Sequence, residues 1–235
     1  MSRTSGMNGK MKLLALGIIV MIAISGLAAY TVIAINTAPQ PIRVACVGDS
    51  ITQGSGYPDK LQTLLGSNYA VRNFGVSGST VSQHSTLPYM NQIEFQKAED
   101  FNPEIVVIML GTNDANPEIA YNEDNFEADY VRLVNSFEEL EGDQYIWVVK
   151  SPPIFSDNSA YNNTYLATTV LPHIDNIASQ LNLPTVDMYN AFGNRSDYFM
   201  DGVHPNADGA SLIASNVYDA ITLPDGSPDN TPFDP

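Results

Sequence analysis

Five short apolar runs recur between Ile42 and Asp187, separated by segments whose apolar residues fall at helical spacing. The runs are Ile42–Val47, Tyr69–Asn73, Glu104–Leu110, Tyr145–Val149 and Thr185–Asp187. The third, EIVVIML, is apolar almost throughout and ends at Gly111, as a strand does when both faces of its sheet are covered. The first intervening helix is expected over Pro58–Leu65, opening on proline and stopping at Gly66, and the second over Glu94–Phe101. A third runs to Leu140 from the cap-like Asp124-x-x-Glu127, with Phe126, Tyr130, Val131, Val134 and Phe137 on one side. A fourth lies within Tyr165–Leu181 and a last one over Ala207–Ile221. Strand and helix alternate five times without an internal repeat. This pattern predicts an α/β fold: one doubly wound, flavodoxin-like, five-stranded parallel sheet with helices on both faces. Such sheets bind ligands at the carboxyl ends of their strands. Ser50, Gly78, Asn113 and the pair Asp201 and His204 fall at those ends.

The rest of the chain divides around that core. Residues 1–12 form a basic tail with Arg3, Lys10 and Lys12, and residues 13–35 carry no charge. As a helix the second segment is roughly 34 Å long, enough for a bilayer core of about 30 Å. It reads as a transmembrane anchor or, cut after its small residues near Ala28 and Ala29, as a secretory signal. Either reading puts the domain outside the cytoplasm, anchored or secreted, because the basic flank precedes the apolar stretch. Residues 36–41 are a linker, 42–223 the folded domain, and 224–235 a loose acidic, Pro-rich tail. The part after the anchor holds all 26 acidic residues against seven of the ten basic ones, a net charge of −19. Such a surface repels nucleic acid, leaving the membrane, through the N-terminal helix, and a small or glycan ester as the expected partners. The single cysteine, Cys46, excludes an intrachain disulfide and reads as a buried structural thiol.

A serine hydroxyl directly after a buried strand is a poor nucleophile until a base takes its proton. Ser50, in Gly48-Asp49-Ser50, is such a serine, and the chain offers three histidines. His84 lies in a Ser/Thr-rich loop and His173 follows Pro172 at a helix start, positions that suit surface or capping roles. His204 sits three residues after Asp201 in Asp201-Gly202-Val203-His204, so one turn brings the carboxylate to one ring nitrogen and frees the other. Ester cleavage also needs donors for the developing oxyanion. Gly78, in Asn73-Phe74-Gly75-Val76-Ser77-Gly78, offers an unobstructed backbone N–H, and Asn113, in Gly111-Thr112-Asn113-Asp114, offers a side-chain amide. Taken singly, each block reads better as a tight turn, with Asn113 or Asp114 capping a helix.

Taken together, G-D-S, N-x-G-x-S-G, G-T-N-D and D-x-x-H stand in this order after successive strands. The set resembles the SGNH (GDSL-type) hydrolase family over Ile42 to Leu223. The resemblance implies a nucleophile at Ser50 and an acid–base pair at Asp201 and His204. It also implies an oxyanion hole from Ser50 N–H, Gly78 N–H and the Asn113 amide, with no cofactor and no metal. The wording of Val47–Thr52 and of Arg72–Gly78 is similar to carbohydrate O-acetylesterases, including those for sialate esters. The expected function is a serine esterase acting on short acyl esters, O-acetyl groups on carbohydrate foremost, through an acyl-serine. A lysophospholipase or thioesterase of the same family is one alternative, and it would need an apolar acyl channel. A membrane-tethered carbohydrate-binding module without turnover is another, and the intact Ser50, Asn113, Asp201 and His204 speak against it. No G-x-S-x-G elbow occurs, and the calcium-like Asp114-x-Asn116-x-Glu118 lacks its glycine. Asn162 and Asn194 open glycosylation sequons.

Overall fold

The computed structural model describes residues 40–116, 123–156 and 161–222. The expected anchor over 13–35 and the tail over 224–235 lie outside the described residues. Among the described residues no helix is long and apolar enough to cross a membrane.

Five strands form one parallel sheet in the order β2-β1-β3-β4-β5: β1 (Ile42–Gly48), β2 (Tyr69–Gly75), β3 (Ile105–Met109), β4 (Tyr145–Lys150) and β5 (Thr185–Asp187). The doubly wound order anticipated from the alternation is therefore present. Successive β3 residues feed opposite faces. Val106 and Ile108 join a core with Phe95, Phe126, Tyr130 and Phe137, while Ile105, Val107 and Met109 join one with Leu61, Trp147, Ile213 and Val217. All five β3 residues are buried, which is why this strand shows no polar alternation.

Seven helices are labelled here: α1 (Ser50–Gly54), α2 (Tyr57–Leu65), α3 (Ile93–Asp100), α4 (Glu123–Glu138), α5 (Leu171–Gln180), α6 (Met188–Phe192) and α7 (Ala207–Thr222). α2 and α7 supply the second core, and α3, α4 and α5 the first. The short helices α1 and α6 have no counterpart in the sequence reading, being too brief for a period to register. α4 begins at Glu123, so Asp124 lies inside the first turn and is not its N-cap. α5 is entered through a short turn at Asn163–Tyr165 and a π-helical turn at Leu166–Val170. Cys46 is fully buried in the second core, and burial pushes its thiol up to about 12, so it packs as a small apolar residue.

What positions the site is the seat of α1. Asp49 caps this helix by accepting the Ile51 N–H at 2.9 Å, and Ser50 is its first residue. The helix lies so close to the strand ends that no side chain fits between them. A Cβ at Gly75 would fall 2.8 Å from Gln53 Cα of α1, and one at Gly48 would run into the Thr52 side chain of α1 and lie 2.6 Å from Met109 O of β3. Asn73 completes the seat, donating to Thr52 O at 2.8 Å and accepting Gly75 N–H at 2.9 Å.

Gly75→Ala should therefore push α1 off its strands and cost about 1–3 kcal/mol of stability. Gly54→Ala, in the same helix with nothing within 4 Å of the added carbon, should be neutral or slightly stabilising. Urea unfolding of both variants checks this, and an equally stable Gly75→Ala protein would contradict the packing argument.

Candidate active site

Ser50 Oγ lies 3.0 Å from His204 Nε2, and His204 Nδ1 lies 2.7 Å from Asp201 Oδ2. The other carboxylate oxygen of Asp201 accepts the backbone N–H groups of Val203 at 3.0 Å and His204 at 2.8 Å. Slight burial raises the Asp201 carboxyl, but these N–H groups and the His204 ring outweigh it and bring it down to about 2. An ionised carboxylate only accepts hydrogen bonds, so the shared proton sits on Nδ1. In the neutral ring, Nε2 is then the bare nitrogen facing the serine hydroxyl, the arrangement a general base requires.

The turn that carries Asp201 and His204 is held from two sides. Met200 N–H donates to His204 O at 2.9 Å, closing the turn on itself. The segment after β4 clasps it from outside, with Phe155 N–H donating to Gly202 O at 2.7 Å. Gly202 has φ +83°, and a Cβ there would lie 2.6 Å from Ser156 N, so only glycine fits. Neither Phe155 nor Ser156 is visible as a functional position in the sequence, because the contact is purely backbone.

The prospective donors come from three other loops. Ser50, as the first helical residue, has no carbonyl one turn back within α1 for its N–H. Gly78 has φ +79°, and among the described residues no backbone acceptor takes its N–H. Asn113 is buried, and its amide donates one N–H to Ser79 O at 2.9 Å, leaving its second N–H for another acceptor. The structure thus sets Asn113 against the Gly78 loop, and it caps no described helix. Asp114 is no cap either. Its carboxylate accepts Val81 N–H and Ser82 N–H, each at 3.0 Å, and so ties the loop after β2 to the loop after β3.

Two buried carboxyls stand beneath this arrangement. Burial pushes Asp49 up to about 6, against the pull of the Ile51 N–H and the nearby Thr112 hydroxyl. Burial likewise pushes Asp114 up to about 7, against its two backbone donors. Asp49 Oδ2 and Thr112 Oγ1 are buried without a hydrogen-bond partner, so the hydroxyl is near the carboxyl but outside bonding geometry. The remaining histidines stand apart from Ser50: His84 is exposed, and His173 Nδ1 meets Glu127 Oε1 at 2.6 Å, joining α5 to α4. Among the described residues no group of three or more His, Cys, Asp or Glu is arranged to hold a metal.

Residues 46–212 match the family model of the GDSL-like lipase/acylhydrolase family. The chain belongs to this family. An acetylxylan esterase of Xylanibacter ruminicola is 32% identical over 206 residues, which cover 77% of this chain and 43% of that protein. The chain thus spans less than half the length of that relative. Among solved structures, a carbohydrate acetylesterase from Sinorhizobium meliloti superposes with TM-score 0.66 at 17% identity, covering 77% of this chain and 98% of the other. The aryl esterase of M. smegmatis gives 0.64 at 17% identity with the same shares. At such identities the likeness speaks for the fold.

Two outcomes follow. A carboxyl raised by folding stabilises the protein below its unfolded value near 3.8, and that stability is lost as pH rises through its folded value, for Asp49 about 6. Asp49→Asn, neutral at every pH and still able to accept the Ile51 N–H, should escape this loss. Its stability relative to wild type should rise between pH 4 and 7 by on the order of 3 kcal/mol. Urea unfolding at both pH values reads the difference, and a pH-independent difference contradicts it. For Asn113, replacement by Ala should lower kcat about 10²–10³-fold with little change in KM, since an oxyanion bond strengthens only in the transition state. Asn113→Asp should be at least as harmful, because it loses the donor and faces Ser79 O with a charge. An active, stable Asn113→Asp enzyme removes Asn113 from the site.

Proposed function

We propose that the chain removes acetyl groups from carbohydrate, with Ser50 as nucleophile and His204 as general base. The observation that carries this reading is the Ser50–His204–Asp201 relay, with contacts of 3.0 and 2.7 Å at the carboxyl edge of the sheet. In the proposed cycle Ser50 Oγ attacks the ester carbonyl while its proton passes to His204 Nε2. Ser50 N–H, Gly78 N–H and the Asn113 amide receive the oxyanion. His204 then protonates the departing sugar oxygen as the carbon–oxygen bond breaks, leaving acetyl-Ser50. Water, deprotonated by the same nitrogen, attacks this ester, and acetate leaves with Ser50 regenerated.

The acetyl-glycan part of the reading draws on the relatives' activities, and charge narrows it. All seven basic residues after the first twelve lie among the described residues, and none bonds to Ser50, Asn113, Asp201 or His204. Lys150, at the end of β4, is held by Asp187 at 2.7 Å and Asp175 at 3.2 Å. A strongly acidic domain favours an uncharged carrier, such as acetylated xylan, over sialate or uronate esters. We further place the domain outside the cytoplasm, held by 13–35 as an anchor.

Ser50→Ala should lower turnover of acetyl esters by several orders of magnitude with the fold intact, and a fluorophosphonate probe should label Ser50 alone. Labelling elsewhere, or wild-type turnover in the variant, sinks the assignment. For the anchor, the full chain should remain in the membrane fraction after alkaline carbonate washing. A mature N-terminus between Ala23 and Pro41 would instead establish a cleaved signal and leave the chemistry untouched.

A further inference from the structure

Resting on the esterase reading above, we infer that Asp114 and Asp129 are positioning residues for the reaction. Their carboxylates fix the segment after β2 from which the Gly78 N–H is offered to the oxyanion.

Over residues 76–83 every backbone N–H except one ends on an acceptor within the protein. Val76 N–H donates to Gly48 O at 2.9 Å, Ser77 N–H to Gln53 Oε1 at 3.1 Å, Ser79 N–H to Val76 O at 3.1 Å and Thr80 N–H to Leu87 O at 3.1 Å. The next three go to carboxylates. Val81 N–H donates to Asp114 Oδ2 and Ser82 N–H to Asp114 Oδ1, each at 3.0 Å, and Gln83 N–H donates to Asp129 Oδ2 at 2.8 Å. Gly78 alone in the segment keeps an N–H that no described residue accepts.

Ser79, Thr80, Val81 and Ser82 are buried, so an N–H deprived of its acceptor there has no water to turn to. Asp114 takes two adjacent N–H groups, one on each oxygen, and a two-point hold resists rotation of the chain between them. Asn113, the residue before it, grips the same stretch with the opposite polarity, its amide donating to Ser79 O at 2.9 Å. Asp129 adds a hold from a different element. It lies on α4 among Phe126, Tyr130 and Leu133, all buried in the first core, and is itself buried. Its other oxygen meets Arg132 Nη1 at 3.5 Å.

The segment is thereby tied at one end to Gly48 of β1 and at the other to the loop after β3 and to α4. Gly78, at φ +79°, stands between these holds. A donor lowers the barrier to ester cleavage only if it is already fixed when charge appears on the carbonyl oxygen. Neither aspartate hydrogen-bonds to Ser50, Asp201 or His204, so both act through the segment they hold. Their substitutions should therefore be graded. Asp114→Asn keeps the volume but leaves one oxygen for two N–H groups, so an amide NH2 faces one of them. Asp129→Asn keeps an oxygen for its single N–H, and Asp129→Ala keeps none.

The test measures phenyl acetate hydrolysis by the full chain at about pH 8, above the value of about 7 to which burial raises Asp114. Inhibition by phenylboronic acid is measured beside it, because the tetrahedral adduct on serine places an oxygen where the oxyanion forms. Asp114→Asn should lower kcat about tenfold or more with KM within about twofold, and weaken boronate binding by a similar factor. Asp129→Ala should move kcat and boronate affinity together by about threefold or more, and Asp129→Asn should recover most of that loss. Wild-type kcat in Asp114→Asn, a loss carried by KM, or a kcat loss with boronate binding unchanged overturns the inference. Should Asp114→Asn fail to fold, Asp129→Ala decides by the same readings. A wild-type chain inactive on both phenyl acetate and acetylated xylooligosaccharide overturns the esterase reading and the positioning role with it. An active wild type with unaltered variants overturns the positioning role alone.

Discussion

The contact between Ser50 Oγ and His204 Nε2 joins residues 154 positions apart, and it holds only because α1 lies directly on the strand ends. With glycine at 75, the backbone of α1 comes within a distance that any Cβ would violate, and glycine at 48 leaves room for the Thr52 side chain of α1 and for Met109 O of β3. Asn73 then replaces side-chain packing with hydrogen bonds to Thr52 and Gln53 carbonyls. The serine's position is thereby set by backbone on backbone, the least compressible contact a protein has. Every other feature of the site is arranged around that fixed point. The Gly78 loop is bonded to Gly48 O through Val76 N–H, the Asn113 loop is bonded to Ser79 O, and the His204 turn is clasped by Phe155.

The acidic residues divide by environment into two kinds. Asp201 is more than half exposed at its side chain and receives two backbone N–H groups, so it stays charged and can hold an imidazolium. Asp49 and Asp114 are buried and raised, and they use their oxygens on backbone donors that shape α1 and the Gly78 loop. The relay carboxylate needs ready ionisation, which solvent and donors supply. The structural carboxyls need fixed geometry, which burial supplies at the expense of easy ionisation. Three of the four family blocks therefore contain an aspartate, but only the one in D-x-x-H is built to carry charge beside the histidine.

Much of this was legible beforehand, and the reasons are local. The strands announced themselves because a parallel strand covered on both faces must be apolar throughout, as Ile105–Met109 is. The pairing of Asp201 with His204 was legible because three residues of one turn suffice to bring them together. Errors concentrated at short or irregular elements. α1 and α6 are a single turn or little more, and the entry to α5 is π-helical, so no helical period develops. Asp124 resembled a cap because cap and first turn favour the same residues.

By itself the sequence determined the layered parallel fold, the carboxyl edge as the place of the site, and the residue types that stand there. Each of these follows from burial pattern and from spacing along one chain. Only the tertiary structure decided that Asn113 donates to Ser79 O and caps no described helix, and that Phe155 and Ser156 grip Gly202. These are contacts between loops far apart in the chain, mostly made by backbone groups that every residue carries. No residue identity advertises them, and they come into being only when the sheet brings its strand ends to one edge.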